Sequence, residues 1–588
     1  MDRTAFFVVT ICVILLYLTW PNPQSPSQER VGRTNSIDSP LIVNSTNKLT
    51  SPTNINLQSS NTSRTPVKLE SEKLISLKTE NSTYTFTSAG GLKSIGLNNH
   101  KLEPCSSTNN NTTIQLNHAS KLPLFALDGI DDSEFFIQND DNWLTMSSTN
   151  QAGILITKKF TPLTNHLLQT SIKLENTTDK TISLNSRTLN LGTSTPLNEP
   201  NLRSIWGVQF FDGESMQEID EAWFSNKTLG CFPGTPRSFF TSNPLTGIQS
   251  NNWIGIHNRF FSVVTMPMQE LKGAAAQSQQ TSTEKADLLD GQYVHSTGIS
   301  ASFRLASIEL KSGESIEQEF TTYAGPKEYR SLVQIGISYN NSLHSIMDLD
   351  GFFGFFSRIL LRSMNGLNSW GLSYALSIIA ITIIIKLIFY PLTKNSTLSM
   401  KRMSAFQPQM KEIREKYKAD PQKMNKKTME FMKENKINPV GSCLPVVIQM
   451  PIFLGYFFML QSAIELRGAE FLWACDLSQA DTIATIAGIP INPLPILMSI
   501  TMWLQMRMNP TSPSMDQMAQ KMMQFMPLMI LVMCYSFPSG LALYWTASNI
   551  LGIFQTKMVR DIKFEIPNAT PANSALAKPI KVKNKRKK

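Results

Sequence analysis

The sequence predicts a polytopic α-helical membrane protein that carries a large all-β domain on its exported side. Three observations support this. Apolar residues of the 588-residue chain gather at the extreme N-terminus and after Asp350. The stretch between alternates in short runs broken by Gly, Asn, Asp and Pro. The Lys/Arg-rich stretches coincide with the loops that one topology places in the cytoplasm.

Taken in order, Thr4 to Trp20 is seventeen uncharged residues after Met1-Asp2-Arg3, and no small-x-small cleavage site precedes Pro21-Asn22-Pro23. Residues 1–20 therefore read as an uncleaved transmembrane anchor rather than a signal peptide. Residues 21–66, rich in Ser, Thr, Asn and Pro, bury too little surface to fold and read as a flexible linker. Residues 67–345 hold runs such as Tyr84-Thr85-Phe86 and Trp253 to Val264, which predict an all-β sandwich. Residues 351–366 place Phe352, Phe355, Phe356, Ile359 and Leu360 on one helical face, with Arg358 and Arg362 four apart. That pattern predicts an amphipathic helix lying in the membrane interface.

Five further apolar segments follow, 370–392, 440–461, 489–508, 522–537 and 541–557, which with the anchor make six spans. With the N-terminus inside, the β domain is exported, 394–437 is a cytoplasmic helical hairpin, and the basic tail 558–588 is cytoplasmic. Segment 394–437 holds twelve Lys/Arg against five Asp/Glu, and the last eleven residues hold seven Lys/Arg and no acid, so the topology and the charge agree. The hairpin reads as helices near Ser399–Tyr417 and Gln422–Asn435 turned at Asp420-Pro421. Its basic excess favours acidic partners, phospholipid headgroups or ribosomal RNA. The span 522–537 is sixteen residues, about 24 Å as a helix against a hydrocarbon core of about 30 Å, which favours local thinning of the bilayer.

Several chemistries are disfavoured. The chain shows no Walker A loop, HExxH, Ser-His-Asp arrangement or glycine-rich phosphate cradle, which speaks against an ATP-driven pump or a protease. The six cysteines show no CxxC spacing and the six histidines are scattered, so no metal or cofactor is expected. Cys105 and Cys231 are a candidate pair in an exported domain, although nothing local favours the pairing. Twenty of the 27 methionines lie between Met400 and Met558, which suits either an adaptable apolar surface or gap-filling in a helical core.

Within the apolar segments, Asp, Glu and His are missing, so a proton relay has no residues to use. Lys386 nonetheless sits inside the apolar run Ser377 to Leu392. An ammonium at that depth costs about 3 kcal/mol or more unless it meets a polar cavity, a partner or, by snorkelling, the interface. Thr382 lies four residues before it on the same face, Gln449 falls mid-segment in 440–461, and Tyr544, Trp545, Ser548 and Asn549 share the last segment. Each has a plain reading: Thr382 bonding its own backbone, Gln449 linking helices, the aromatics forming an interfacial belt. With Lys386 they suggest a hydrophilic cavity.

Three segments resemble the bacterial YidC membrane protein insertase family: IFYPLTKNSTLSMKRM at 388–403, INPVGSCLPVVIQMPIFLGYFFML at 437–460 and FPSGLALYWTASNILGIFQ at 537–555. The N-terminal anchor, the β domain with EKLISLKTENSTYTFTSAGG at 72–91 and the basic tail extend the likeness over nearly the whole chain. The resemblance implies a five-helix insertase core in the bacterial inner membrane forming a positively charged groove, a periplasmic β-supersandwich domain and a mobile hairpin. It implies a non-enzymatic insertase and chaperone for nascent membrane proteins, acting alone or with SecYEG and SecDF, with ribosome contact through hairpin and tail and no DNA partner. Carried over, Lys386 takes the groove's positive position, Thr382, Gln449 and Asn549 line the groove, and Tyr544 and Trp545 form the substrate-contacting aromatic pair. The family's charge is usually Arg and its second aromatic often Tyr, whereas this chain has Lys386 and Trp545. Lysine is a compact point charge and lacks the planar fork of arginine. The rival reading is a solute or lipid transporter with an anion site at Lys386, against which no inverted repeat is evident.

Overall fold

The computed structural model describes residues 72–105, 112–140, 142–197, 205–226, 234–283, 295–435, 440–508 and 517–560. The expected anchor at 1–20, the linker at 21–66 and nearly all of the basic tail at 558–588 lie outside the described residues.

The N-terminal part is built on antiparallel sheets. The largest has nine strands in the order Met216–Ile219, Trp206–Phe211, Trp253–Asn258, Phe261–Pro267, Ser315–Pro326, Leu167–Asn176, Ile154–Pro162, Leu144–Thr149 and Phe136–Asn139. A four-stranded sheet, Arg187–Ser194, Thr297–Leu305, Ala275–Ser282 and Phe239–Thr241, and a second, Leu74–Lys78 through Thr113–Leu116, complete the main body. Strands such as Leu144–Thr149 and Leu167–Asn176 alternate buried and less buried residues, as a sheet with one covered face requires. Trp206–Phe211, Trp253–Asn258 and Phe261–Pro267 are buried on both faces. One face looks into the main core of Phe86, Phe125, Phe160 and Phe320, and the other meets helices. The run expected as one alternating stretch from Trp253 to Val264 is in fact a hairpin. Asn258 Oδ1 accepts from the backbone N–H groups of Phe260 and Phe261 at its turn, which leaves Arg259 at the tip.

Two buried charge clusters sit in this domain. Lys158 is fully buried and donates to Gly90 O, Phe125 O and Asp131 Oδ2. Burial lowers the Lys158 amine and raises the Asp131 carboxyl from their ordinary values. In the second cluster His257 Nε2 bonds Glu218 Oε1 at 2.7 Å while Lys327 Nζ donates to His257 Nδ1 at 3.0 Å, the pattern of a neutral imidazole. Burial lowers His257, with Lys327 adding to that after the opposing pull of Glu218.

The helices are α1 (Glu221–Ser225), α2 (Tyr329–Ser338), α3 (Gly351–Ser369), α4 (Tyr374–Ile388), α5 (Tyr390–Ala405), α6 (Gln407–Lys416), α7 (Pro421–Glu434), α8 (Val440–Ser462), α9 (Pro493–Met508), α10 (Gln517–Cys534) and α11 (Ser539–Arg560). Among the described residues no single helix is long and apolar enough to cross a membrane by itself, although α4 and α5, bent by 62° at their junction, pass together. The segment read as 370–392 is therefore interrupted at Phe389, and the one read as 489–508 begins with the strand Ile489–Ile491. The first hairpin helix is also divided, at Phe406, whereas α7 starts as expected with Asp420 Oδ1 accepting from Lys423 N. The expected apolar face of α3 splits. Phe352 and Leu360 are buried while Phe355 and Ile359 stay exposed. Ser357 Oγ donates to Gly455 O at 2.9 Å, and a Cβ at Gly455 would come within 2.8 Å of Phe356 Cβ, so side chains of α3 press directly on the backbone of α8.

One apolar cluster runs from Trp253 and Tyr323 in the sheet through Leu361 and Met364 of α3 to Ile378, Tyr456, Phe537 and Tyr544, joining both halves. Arg259 reinforces the seam by donating to the carbonyls of Leu460, Gln461 and Ser478. Cys105 is bonded to Cys475, 370 positions along the chain, which corrects the candidate pairing with Cys231. The partner sits in the loop between α8 and α9.

Candidate functional site

Helix α4 begins at Ser373, whose Oγ accepts from Leu376 N, and ends at Phe389. Lys386 falls in its last turn, where the helix dipole favours a cation and where carbonyls lack intrahelical donors. Gln555 Nε2 of α11 supplies one such donor, to Lys386 O at 3.0 Å, which fastens the end of α4 to α11.

The lysine side chain turns inward. Its Nζ donates to Gln449 Oε1 of α8 at 3.4 Å, and Gln449 Nε2 donates to Ser548 Oγ of α11 at 2.9 Å. Three helices thus meet at a polar seam of amine, amide and hydroxyl. No ion pair among the described residues involves Lys386. Its neighbours Ile383, Ile384, Leu387 and Ile388 are exposed on the outside of α4, so a charge lies behind an apolar wall.

Aromatic pairs close the seam toward the β domain. Tyr544 stacks on Tyr456 at 4.2 Å between centroids, and Trp545 meets Phe453 edge-on at 4.7 Å. Tyr544 is buried and Trp545 half-buried. Thr382 is buried, donates to Ile378 O at 2.7 Å and also faces the Tyr456 hydroxyl, so it lies beside the aromatic pair. One expected residue lies elsewhere. Asn549 is buried at the α9–α11 contact, with Nδ2 near Met498 O and Thr501 Oγ1, both at 3.3 Å. Sequence reasoning missed Gln555, Tyr456 and Phe453. The only available signal was their helical spacing from Lys386, Gln449 and Trp545, which does not say which helices touch. Among the described residues no group of three His, Cys, Asp or Glu is placed to hold a metal.

Residues 366–565 match the family described as 60Kd inner membrane protein, and residues 106–362 match the YidC periplasmic domain family. Together with the fold they define an inner-membrane class of protein with an exported domain rich in β-sheet. The membrane protein insertase YidC of Prosthecochloris aestuarii is 30% identical over 544 residues, 88% of each chain. The chain belongs to the YidC membrane protein insertase family. YidC of Geobacter metallireducens is 43% identical over 42% of this chain, and that of Paraburkholderia phytofirmans 34% identical over 57%. The chain spans 44% and 55% of the length of those two relatives. A solved structure titled as an active YidC insertase aligns over 84% of this chain and 94% of its own, at 15% identity and a TM-score of 0.32.

Proposed function

We propose that this protein inserts nascent integral membrane proteins into the bacterial inner membrane and helps them fold, by way of a positively charged groove at Lys386. The observation that carries the reading is the lysine amine held at the α4–α8–α11 seam by Gln449, itself bonded to Ser548, with no acidic partner among the described residues. A substrate's short, often acidic exported segment enters at the amine, which lowers the cost of bringing polar groups partway into the membrane. Its apolar helix then slides past Trp545 along the outer faces of α4 and α11 into lipid. No covalent step is needed, because burying about twenty apolar residues in hydrocarbon supplies the driving force.

The proposal includes six spans with both termini cytoplasmic and the β domain outside, the anchor being 1–20. Helices as short as the sixteen-residue α9 span about 24 Å, which fits a thinned bilayer at the groove. SecYEG and SecDF are proposed partners, and the basic hairpin and tail are proposed ribosome contacts.

Complementation of an insertase-depleted strain tests this. Lys386→Arg is expected to restore growth and Lys386→Ala to reduce insertion about tenfold, the loss that about 1.4 kcal/mol brings. Full function for the alanine variant would remove the charge from the mechanism. Photo-crosslinking from position 545 is expected to capture nascent membrane proteins, and a transporter would show none.

A further inference from the structure

We infer that the Cys105–Cys475 disulfide is a redox-dependent clasp through which the exported domain positions the first turns of α11, and with them the seam at Ser548. This deepens the insertase reading and rests on it for its consequence.

The clasp is the centre of a close contact. Arg467 Nη2 donates to Leu102 O at 2.7 Å, and Arg467 also lies over the Phe261 ring. Gly468 holds φ +74°, and a Cβ there would stand 3.1 Å from Pro104 Cβ, so the α8–α9 loop and the 102–105 segment approach with no room between. Immediately past Cys475 the loop becomes the cap of α11. Ser539 Oγ donates to Asp476 O at 3.0 Å, Gly540 N to Leu477 O at 2.9 Å and Ser539 N to Gln479 O at 2.6 Å. These bonds occupy orphan donors at the start of the helix, so the loop sets where α11 begins. Less than three turns along the same helix lie Tyr544, Trp545 and Ser548. The path from Cys105 to the seam thus runs through one covalent bond, four loop residues and one rigid helix.

Both cysteines are exposed, so exchange partners reach the bond. On the exported side, closing it passes two electrons and two protons from the two thiols to a disulfide oxidoreductase, whose own disulfide becomes a dithiol. A dithiol reductant opens it by the reverse exchange.

The test uses the full chain in proteoliposomes, with a protease site placed at the exposed hairpin turn Lys418–Asp420. After cleavage and denaturation the two fragments are expected to stay joined without reductant and to separate with dithiothreitol, and peptide mapping is expected to link Cys105 to Cys475. Fragments that separate without reductant, or a Cys105–Cys231 linkage, overturn the clasp. Hydrogen exchange then reads positioning. Reduction is expected to raise exchange of the amides in 539–548 at least tenfold, while Cys105→Ser exchanges fast with or without reductant. A short bismaleimide bridging the reduced thiols is expected to restore slow exchange. Unchanged exchange on reduction overturns the positioning role. Insertion is expected to fall severalfold in parallel. If the oxidised chain inserts nothing, the insertase reading fails while gel and exchange still decide the clasp.

Discussion

The β domain and the helical core dispose of polar and apolar groups in opposite ways. In the β domain Phe86, Phe125 and Phe160 are sealed inside, and the fully buried Lys158 is met by Asp131 and two carbonyls. In the helical core Leu528, Met529 and Val532 of α10 face outward, while Lys386, Gln449 and Ser548 turn inward without a carboxylate. A domain dissolved in water needs every internal charge compensated. A domain dissolved in lipid can present apolar side chains outside and keep an uncompensated cation as its working group. The difference sets Lys158, fully buried and paired with Asp131, apart from Lys386, half-buried and without a carboxylate partner among the described residues.

The largest contrast between the two regions is expected at single apolar side chains. Phe160→Ala is expected to destabilise the β domain by about 3–5 kcal/mol in chemical denaturation, and Val532→Ala on α10 by under about 0.5 kcal/mol in detergent. Equal effects would mean that α10 packs inside the protein. Nearly as large is Lys158→Met, expected to cost about 3–5 kcal/mol by stranding Asp131, with Lys158→Met/Asp131→Leu recovering most of it. In the core, Gln449→Leu is expected to slow insertion threefold to tenfold while shifting unfolding by about 1–3 kcal/mol, since the bonds with Lys386 and with Ser548 are both lost.

The smallest effect is on pH. His257 is held below its ordinary value of 6.5, so the stability it contributes is present above pH 6.5 and lost as pH falls below it. For Glu218 burial works upward, but His257, Lys327 and Gln209 bring it below 4.5, so its contribution is lost on further acidification, in the same direction. Stability is expected to fall as pH drops below 6.5, offset in part by Asp348, whose carboxyl burial pushes up to about 6, and His257→Gln is expected to flatten the fall in thermal unfolding. A slope that survives the substitution would assign the titration to another group.

Much of this organisation was legible along the chain. The alternation in Leu144–Thr149, the Asp420-Pro421 helix start and the isolation of Lys386 in an apolar run are local patterns, and local patterns survive folding. The bend at Phe389, the strand at Ile489–Ile491 and the division of the α3 face were not, because each depends on what packs against the segment. Thr382 and Asn549 lie on the seam helices, yet Thr382 turns to a carbonyl of its own helix and to Tyr456 while Asn549 turns to α9, a choice of direction that spacing does not contain.

The two-solvent character of the chain, the place of Lys386 in an apolar run and the family to which the chain belongs are written in hydropathy, charge and motif, which are properties of neighbouring residues. That Gln449, backed by Ser548, receives the Lys386 amine, that Arg259 and Arg467 join the halves and that Cys105 meets Cys475 came only with the packed fold. Those contacts lie 63 to 370 positions apart, and which distant groups meet is set by how helices and sheets pack together.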